Sequence, residues 1–138
     1  MQALWRDDVA SFEGEFVHLS PSWSWPKTVQ QPRVRTLFGG AAGPRTFAAI
    51  AEWADGWMPF GGASMSKTLP DLRAAMEAAG RDPATLEIVP FGTLPTEGKL
   101  DYYRTLGVTE VVLRVPAGDR DVVLSALDEL MPFLKHAG

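Results

Sequence analysis

Among its 138 residues the chain has no cysteine, which excludes disulfides, thiolate nucleophiles and cysteine-ligated metals. Histidine is nearly as scarce. His18 and His136 are the two in the chain, far apart in sequence, and both read as surface residues. A protein metal site would have to be carboxylate-rich, yet the aspartates mostly fall where caps, turns and solvated helix faces place them. No metal site is expected. Long apolar runs are missing as well, since no stretch approaches the roughly eighteen uncharged residues that a membrane span needs. A basic excess is also absent: 13 Lys and Arg stand against 17 Asp and Glu, a net charge of −4 with no basic cluster. Nucleic acid and membrane are therefore not expected partners. The N-terminus lacks a charged start followed by an apolar stretch, so it does not read as a signal peptide and a cytoplasmic location is expected. No Ser-His-Asp set or carboxylate pair stands out, and no catalytic residue is assigned.

What is present is the composition of a soluble globular domain, 46% apolar and 22% charged, at a length that supports one core. From Arg33 onward short apolar runs alternate with helical patterns at a period of about thirty residues, as in successive β-α units of a parallel sheet. The first run, Arg33 to Phe38, ends in Gly39-Gly40-Ala41-Ala42-Gly43-Pro44. Phe47, Ile50, Ala51 and Ala54 follow as one helical stripe, with Pro44 suited to the first turn because its missing N–H would be unpaired there. A second run, Asp55 to Pro59, leads through Phe60-Gly61-Gly62 to a helix capped by Thr68, striped by Leu72, Ala75, Met76 and Ala79, and ended by Gly80. Leu86 to Phe91 is the third strand, followed by a helix from about Glu97 to Leu106 that buries Leu100, Tyr103 and Leu106. Glu110 to Val115 is the fourth. Asp119 then caps a helix with Val123, Leu127, Leu130, Met131 and Leu134 on one side, which Pro132 should kink or shorten.

Residues before Arg33 differ in kind. Met1 to Trp5 reads as the end of a helix, Val9 to Leu19 as two extended pieces turning at Glu13-Gly14, and Pro21 to Pro26 as an irregular excursion. In that excursion Trp23 and Trp25 form either a lid or partner-facing patch or a loop packed on its own domain. The organisation expected is one partial domain over 1–138, with a hairpin and Trp/Pro-rich loop at 1–32 and four β/α units at 33–138. Helices on both faces of the sheet would make a small doubly wound fold; helices on one face would make half of an eight-stranded barrel. Periodicity does not choose between them.

Gly39-Gly40-Ala41-Ala42-Gly43-Pro44, between a strand and a helix, is the segment most suited to chemistry. Glycines let backbone N–H groups approach an anion, small alanines leave room for it, and the positive end of the helix dipole faces it. A phosphate is the natural ligand, although a glycine-rich turn is also what any α/β loop needs. The segment matches neither the Walker pattern nor the dinucleotide fingerprint. Gly56-Trp57-Met58-Pro59-Phe60-Gly61-Gly62 puts aromatic and sulfur side chains at a strand exit, where a flat conjugated ring could be walled; the simpler reading of each side chain is core. Asp55, just before the second strand, reads as structural.

Taken in order, Ala3-Leu4-Trp5, Phe12-Glu13-Gly14-Glu15-Phe16-Val17, Trp25-Pro26-Lys27, the glycine segment, Ala54-Asp55-Gly56-Trp57-Met58-Pro59, Gly80-Arg81-Asp82-Pro83 and Leu106-Gly107-Val108 resemble the luciferase-like monooxygenase family. The likeness is to the C-terminal half of its coenzyme F-420-dependent oxidoreductase branch. The resemblance implies the last four β/α units of a TIM-type (β/α)8 barrel, and a flavin-type cofactor, either coenzyme F-420 (a deazaflavin) or FMN. Carried onto this chain, the cofactor phosphate falls to Gly39, Gly40, Ala41, Ala42 and Gly43. The ring and most residues near the reacting carbon lie, in the family, on the first half. This chain is thus expected to keep the phosphate loop, to be inactive alone, and to need either a second copy in a homodimer or a missing N-terminal half. The alternative is a non-catalytic binding module or accessory protein for a phosphate-bearing ligand.

Overall fold

The computed structural model describes residues 1–30, 34–62 and 64–134. Arg33 and His136, assigned above to the start of the first strand and to the tail, lie outside the described residues. The chain divides into two compact units, Met1–Arg35 and Thr36–Gly138.

In the first unit, α1 (Gln2–Arg6) precedes an antiparallel hairpin of β1 (Ala10–Glu13) and β2 (His18–Ser22). Phe12 faces Leu19 and Glu13 faces His18, so the turn falls where Glu13-Gly14 predicted it. His18 is an exposed residue paired with the Glu13 carboxylate. Lys27 donates to the Leu4 and Asp7 carbonyls, at 2.9 and 2.6 Å, and so ties the Trp/Pro-rich segment back to α1. Trp23 and Trp25 are exposed, with the Lys27 ammonium 5.4 Å from the Trp25 ring centre.

The second unit runs β3 (Leu37–Gly39), α2 (Pro44–Trp53), β4 (Gly56–Met58), α3 (Met65–Ala78), β5 (Glu87–Ile88), β6 (Phe91–Thr93), α4 (Glu97–Thr105), β7 (Val112–Leu113) and α5 (Arg120–Leu134). The third predicted strand is split into β5 and β6 at Val89-Pro90, because proline has no N–H to give the ladder. The two pieces still bridge their neighbours. Glu87, Val89 and Phe91 donate to Asp55, Trp57 and Pro59 on one side, while the Pro90 and Thr93 carbonyls accept from Val112 and Arg114 on the other. All pairings are parallel, and spatial order follows chain order. A doubly wound sheet reverses its order at a switch point. The described strands do not.

Stepping one strand over each time with right-handed crossovers carries successive helices to the same face. Phe47 and Ile50 of α2, Met65, Leu69 and Leu72 of α3 and Tyr103 of α4 accordingly share one buried cluster with Trp57 and Ile88 of the sheet. Each fully buried aliphatic side chain here contributes about 1.5–3 kcal/mol. α3 starts at Met65, earlier than the predicted Thr68 cap, and Thr68 instead bonds back to the Ser64 carbonyl at 3.2 Å. Pro70, the sixth residue of α3, gives up the hydrogen bond that its N–H would make to the Ser66 carbonyl. Ala79 is exposed rather than part of the stripe, since it lies past the last helical residue. Gly80, at φ +73°, ends α3 in a Schellman motif: its N–H meets the Glu77 carbonyl and that of Arg81 meets Met76.

α5 departs most from expectation. Asp119 caps it as predicted, but the helix continues through Pro132 to Leu134. Its apolar residues form two stripes rather than one. Val123, Ala126, Leu130 and Phe133 are half-buried, whereas Leu124, Leu127, Met131 and Leu134 are exposed by 42–56%.

Candidate functional site

The site forms at the C-terminal ends of β3 and β4, where the glycine segment and the Trp57–Gly62 segment meet. Trp57 connects them. Its ring is 2% exposed and packs edge-on against Phe47, with centroids 5.6 Å apart, because the β4 pleat turns it towards the helices. From there its indole N–H donates to the Gly40 carbonyl at 3.1 Å. In a trans peptide the carbonyl and the following N–H point in opposite directions, so holding the Gly40 oxygen turns the Ala41 N–H outward. Ala41 and Ala42 are exposed, and among the described residues their N–H groups have no protein acceptor.

The helix that follows extends this array of donors. Gly43 is the N-cap of α2 and supplies no side-chain acceptor, Pro44 is at the first position, and the first turn carries no acid. The first intrahelical bond runs from the Phe47 N–H to the Gly43 carbonyl, at 2.9 Å. The Arg45 and Thr46 N–H groups are thus left unclaimed within the helix. Arg45 is itself exposed and makes no ion pair among the described residues. A cation at the positive end of a helix dipole is unfavourable unless an anion sits beside it. Amides and dipole both favour negative charge at this point.

Gly39, Gly40, Ala41 and Ala42 line a cleft of about 540 Å3 together with Met58, Phe60 and Phe91. Phe60 is 76% exposed and tilts over Phe91, with centroids 6.1 Å apart. Of the β4-exit side chains, Trp57 is core, Met58 is half-buried and Phe60 is presented to the cleft. Gly43 opens instead onto a larger groove, of about 970 Å3, between α2 and α3. That groove is lined mainly by alanines, and its Arg81 is spent on the Ile50 and Ala51 carbonyls, at 2.8 and 3.1 Å. The five predicted phosphate-loop residues are therefore adjacent in space but divided between two concavities, with Ala42 at the border.

Asp55 accepts the Thr36 N–H at 2.6 Å, which anchors the start of β3 as a structural residue. Among the described residues no cluster of metal-ligating side chains occurs. Away from the residues lining the cleft, Arg6 is raised and Asp7 lowered, chiefly by the hydrogen bond between them. The cleft sets exposed loop amides beside apolar side chains. Sequence reasoning passed over Arg45, although its place immediately after a helix-starting proline was legible. It also left out the Trp57–Gly40 bond, which no local pattern encodes.

Residues 1–96 match the luciferase-like monooxygenase family. An uncharacterized protein of Mycobacterium tuberculosis is 37% identical over 94% of this chain, and the chain spans 46% of that relative's length. Among solved structures, a monooxygenase from Streptomyces bottropensis superposes with a TM-score of 0.60 at 20% identity, over 96% of this chain and 58% of that one. An F-420-dependent secondary alcohol dehydrogenase, solved with an F-420–acetone adduct, gives a TM-score of 0.54 at 22% identity, over 66% of this chain and 28% of that one. At these identities the likeness shows the fold: parallel β/α structure like that of TIM-barrel luciferase-like enzymes.

Proposed function

The chain belongs to the luciferase-like monooxygenase family, and from that premise we propose that it is the cofactor-phosphate half of a flavin- or deazaflavin-dependent oxidoreductase or monooxygenase. In this reading residues 1–138 are one partial domain: the last four β/α units of a (β/α)8 barrel, preceded by a hairpin and a Trp/Pro-rich loop. Sequential parallel strand order supports it, as does the chain's 46% coverage of its relatives.

The observation that carries the reading is the start of α2, which has no side-chain cap and no acid in its first turn and follows Ala41 and Ala42, whose N–H groups have no acceptor among the described residues. Gly39, Gly40, Ala41, Ala42 and Gly43 hold the phosphate of FMN or F-420, with the Arg45 and Thr46 N–H groups beside them. A bound flavin or deazaflavin supplies the ring that takes or gives hydride. This chain's own residues bind and orient the phosphate and cover part of the ligand with Phe60 and Phe91. Turnover requires the complementary half-barrel, from a second copy or from an N-terminal half; the exposed stripe on α5 is the face that such a neighbour would cover.

Fluorescence titration with FMN and with riboflavin, which lacks the phosphate, tests the site. The chain should bind FMN about tenfold or more tightly than riboflavin, and Ala41→Asp should erase the difference. Equal affinities in the unsubstituted chain would remove the reading. Phosphate-dependent binding with no turnover, even alongside a complementary half, would leave a binding module in its place.

A further inference from the structure

The turn after β4 is held from a distance. Tyr103 of α4 is 3% exposed, and its hydroxyl donates to the Gly61 carbonyl at 3.1 Å, across 42 residues of sequence. Gly61 and Gly62 both take positive φ, +69° and +65°, in which side chains are strained. At Gly62 the approach is also closed, since a Cβ would lie 2.7 Å from the Tyr103 oxygen and 3.0 Å from Met65 Cε. The Gly61 N–H meanwhile meets the Phe91 carbonyl at 2.9 Å. The turn is thus pinned on one side to α4 and on the other to the next strand. It begins at Phe60, whose ring lies 3.0 Å from where a Cβ on Gly92 would be. Gly92 and the pinned turn together set the position of Phe60 in the cleft wall.

We infer that Tyr103 is a positioning residue for the ligand cleft, acting through the Gly61–Gly62 turn on Phe60, which lines that cleft together with the phosphate loop. The inference rests on the function proposed above. It also separates two parts of the site: the loop at Gly39–Ala42 recognises the phosphate, and Tyr103 governs contact with the remainder of the ligand. Tyr103 itself does not line the cleft.

FMN and inorganic phosphate distinguish the two parts. Tyr103→Phe keeps the ring and removes one hydrogen bond, so it should weaken FMN binding about three- to tenfold while inorganic phosphate competes as well as before. Gly62→Ala reaches the same contact from the other side. The double variant should bind FMN no more weakly than the weaker single variant, as expected of two lesions in one contact. Unchanged FMN affinity in Tyr103→Phe, or equal weakening of FMN and inorganic phosphate, would overturn the inference and leave the phosphate-site reading standing. Failure of the unsubstituted chain to bind FMN in a phosphate-dependent way would overturn both.

Discussion

α3 and α5 are helices of one β/α array and are almost the same length, yet they end in opposite environments. α3 buries Met65, Leu69, Leu72 and Met76, while α5, the longer, has no fully buried residue. The difference is one of neighbours. α3 shares its core cluster with residues of α2, α4 and the sheet, so its inner face is covered. α5 follows the last strand and carries more apolar side chains than its surroundings cover: Val123, Ala126, Leu130 and Phe133 are half-covered, and Leu124, Leu127, Met131 and Leu134 are exposed. Amphipathicity records how much contact a helix is built for. Burial records how much it obtains.

The sharpest test of that contrast is Leu72→Ala against Leu130→Ala. The first should cost about 2–5 kcal/mol in urea denaturation and the second about 1 kcal/mol, because only the first opens a cavity in close-packed surroundings. Equal losses would mean that the last unit is as well packed as the middle. Next comes Trp57→Phe, which removes both core volume and the bond to Gly40, at a cost of about 1–3 kcal/mol. It should also abolish the preference for FMN over riboflavin, because the Ala41 N–H is no longer aimed.

A smaller effect on stability, but a clear one on assembly, is expected from Leu127→Lys combined with Met131→Lys. The melting curve should shift by no more than about 0.5 kcal/mol, while light scattering should change from twice the chain mass to the chain mass. A monomer before substitution would eliminate the second copy as the neighbour and leave the N-terminal half. The smallest effect belongs to the first unit. The hydrogen bond from Arg6 holds the Asp7 carboxyl below its ordinary range, against a smaller opposing effect of desolvation. A carboxyl lowered in the folded state stabilises above its unfolded pKa, and that contribution is lost as pH falls through the lower folded value. Asp7→Asn should therefore flatten only the acid limb of the unfolding curve, at and below the ordinary carboxylate range. A change near neutral pH would contradict the assignment.

Much of this was legible along the chain. Pro44 with the Phe47-Ile50-Ala51 stripe, the Gly80 stop and the Asp119 cap all follow from rules that act over one or two helical turns, and each appears where expected. The misreadings came where distant partners decide. Thr68 resembles a cap by composition, but packing of Met65 into the core starts α3 a turn earlier. Leu86–Phe91 reads as one strand, yet Pro90 and two different neighbours divide its ladder. At the site, the glycine-rich loop was visible as a loop, whereas the indole that turns its amides outward and the tyrosine that pins the Gly61–Gly62 turn come from residues 17 and 42 positions away from the carbonyls they hold.

The amino-acid order alone determined the alternation of strand and helix, the absence of thiol chemistry and the place of the glycine-rich turn. These depend on side-chain chemistry and on backbone preferences that reach only a few residues. Strand order, the single face shared by α2, α3 and α4, the division of the glycine loop between cleft and groove, and the bare stripe on α5 were decided only in three dimensions. Each depends on which segments come to lie side by side, and no local rule carries that information.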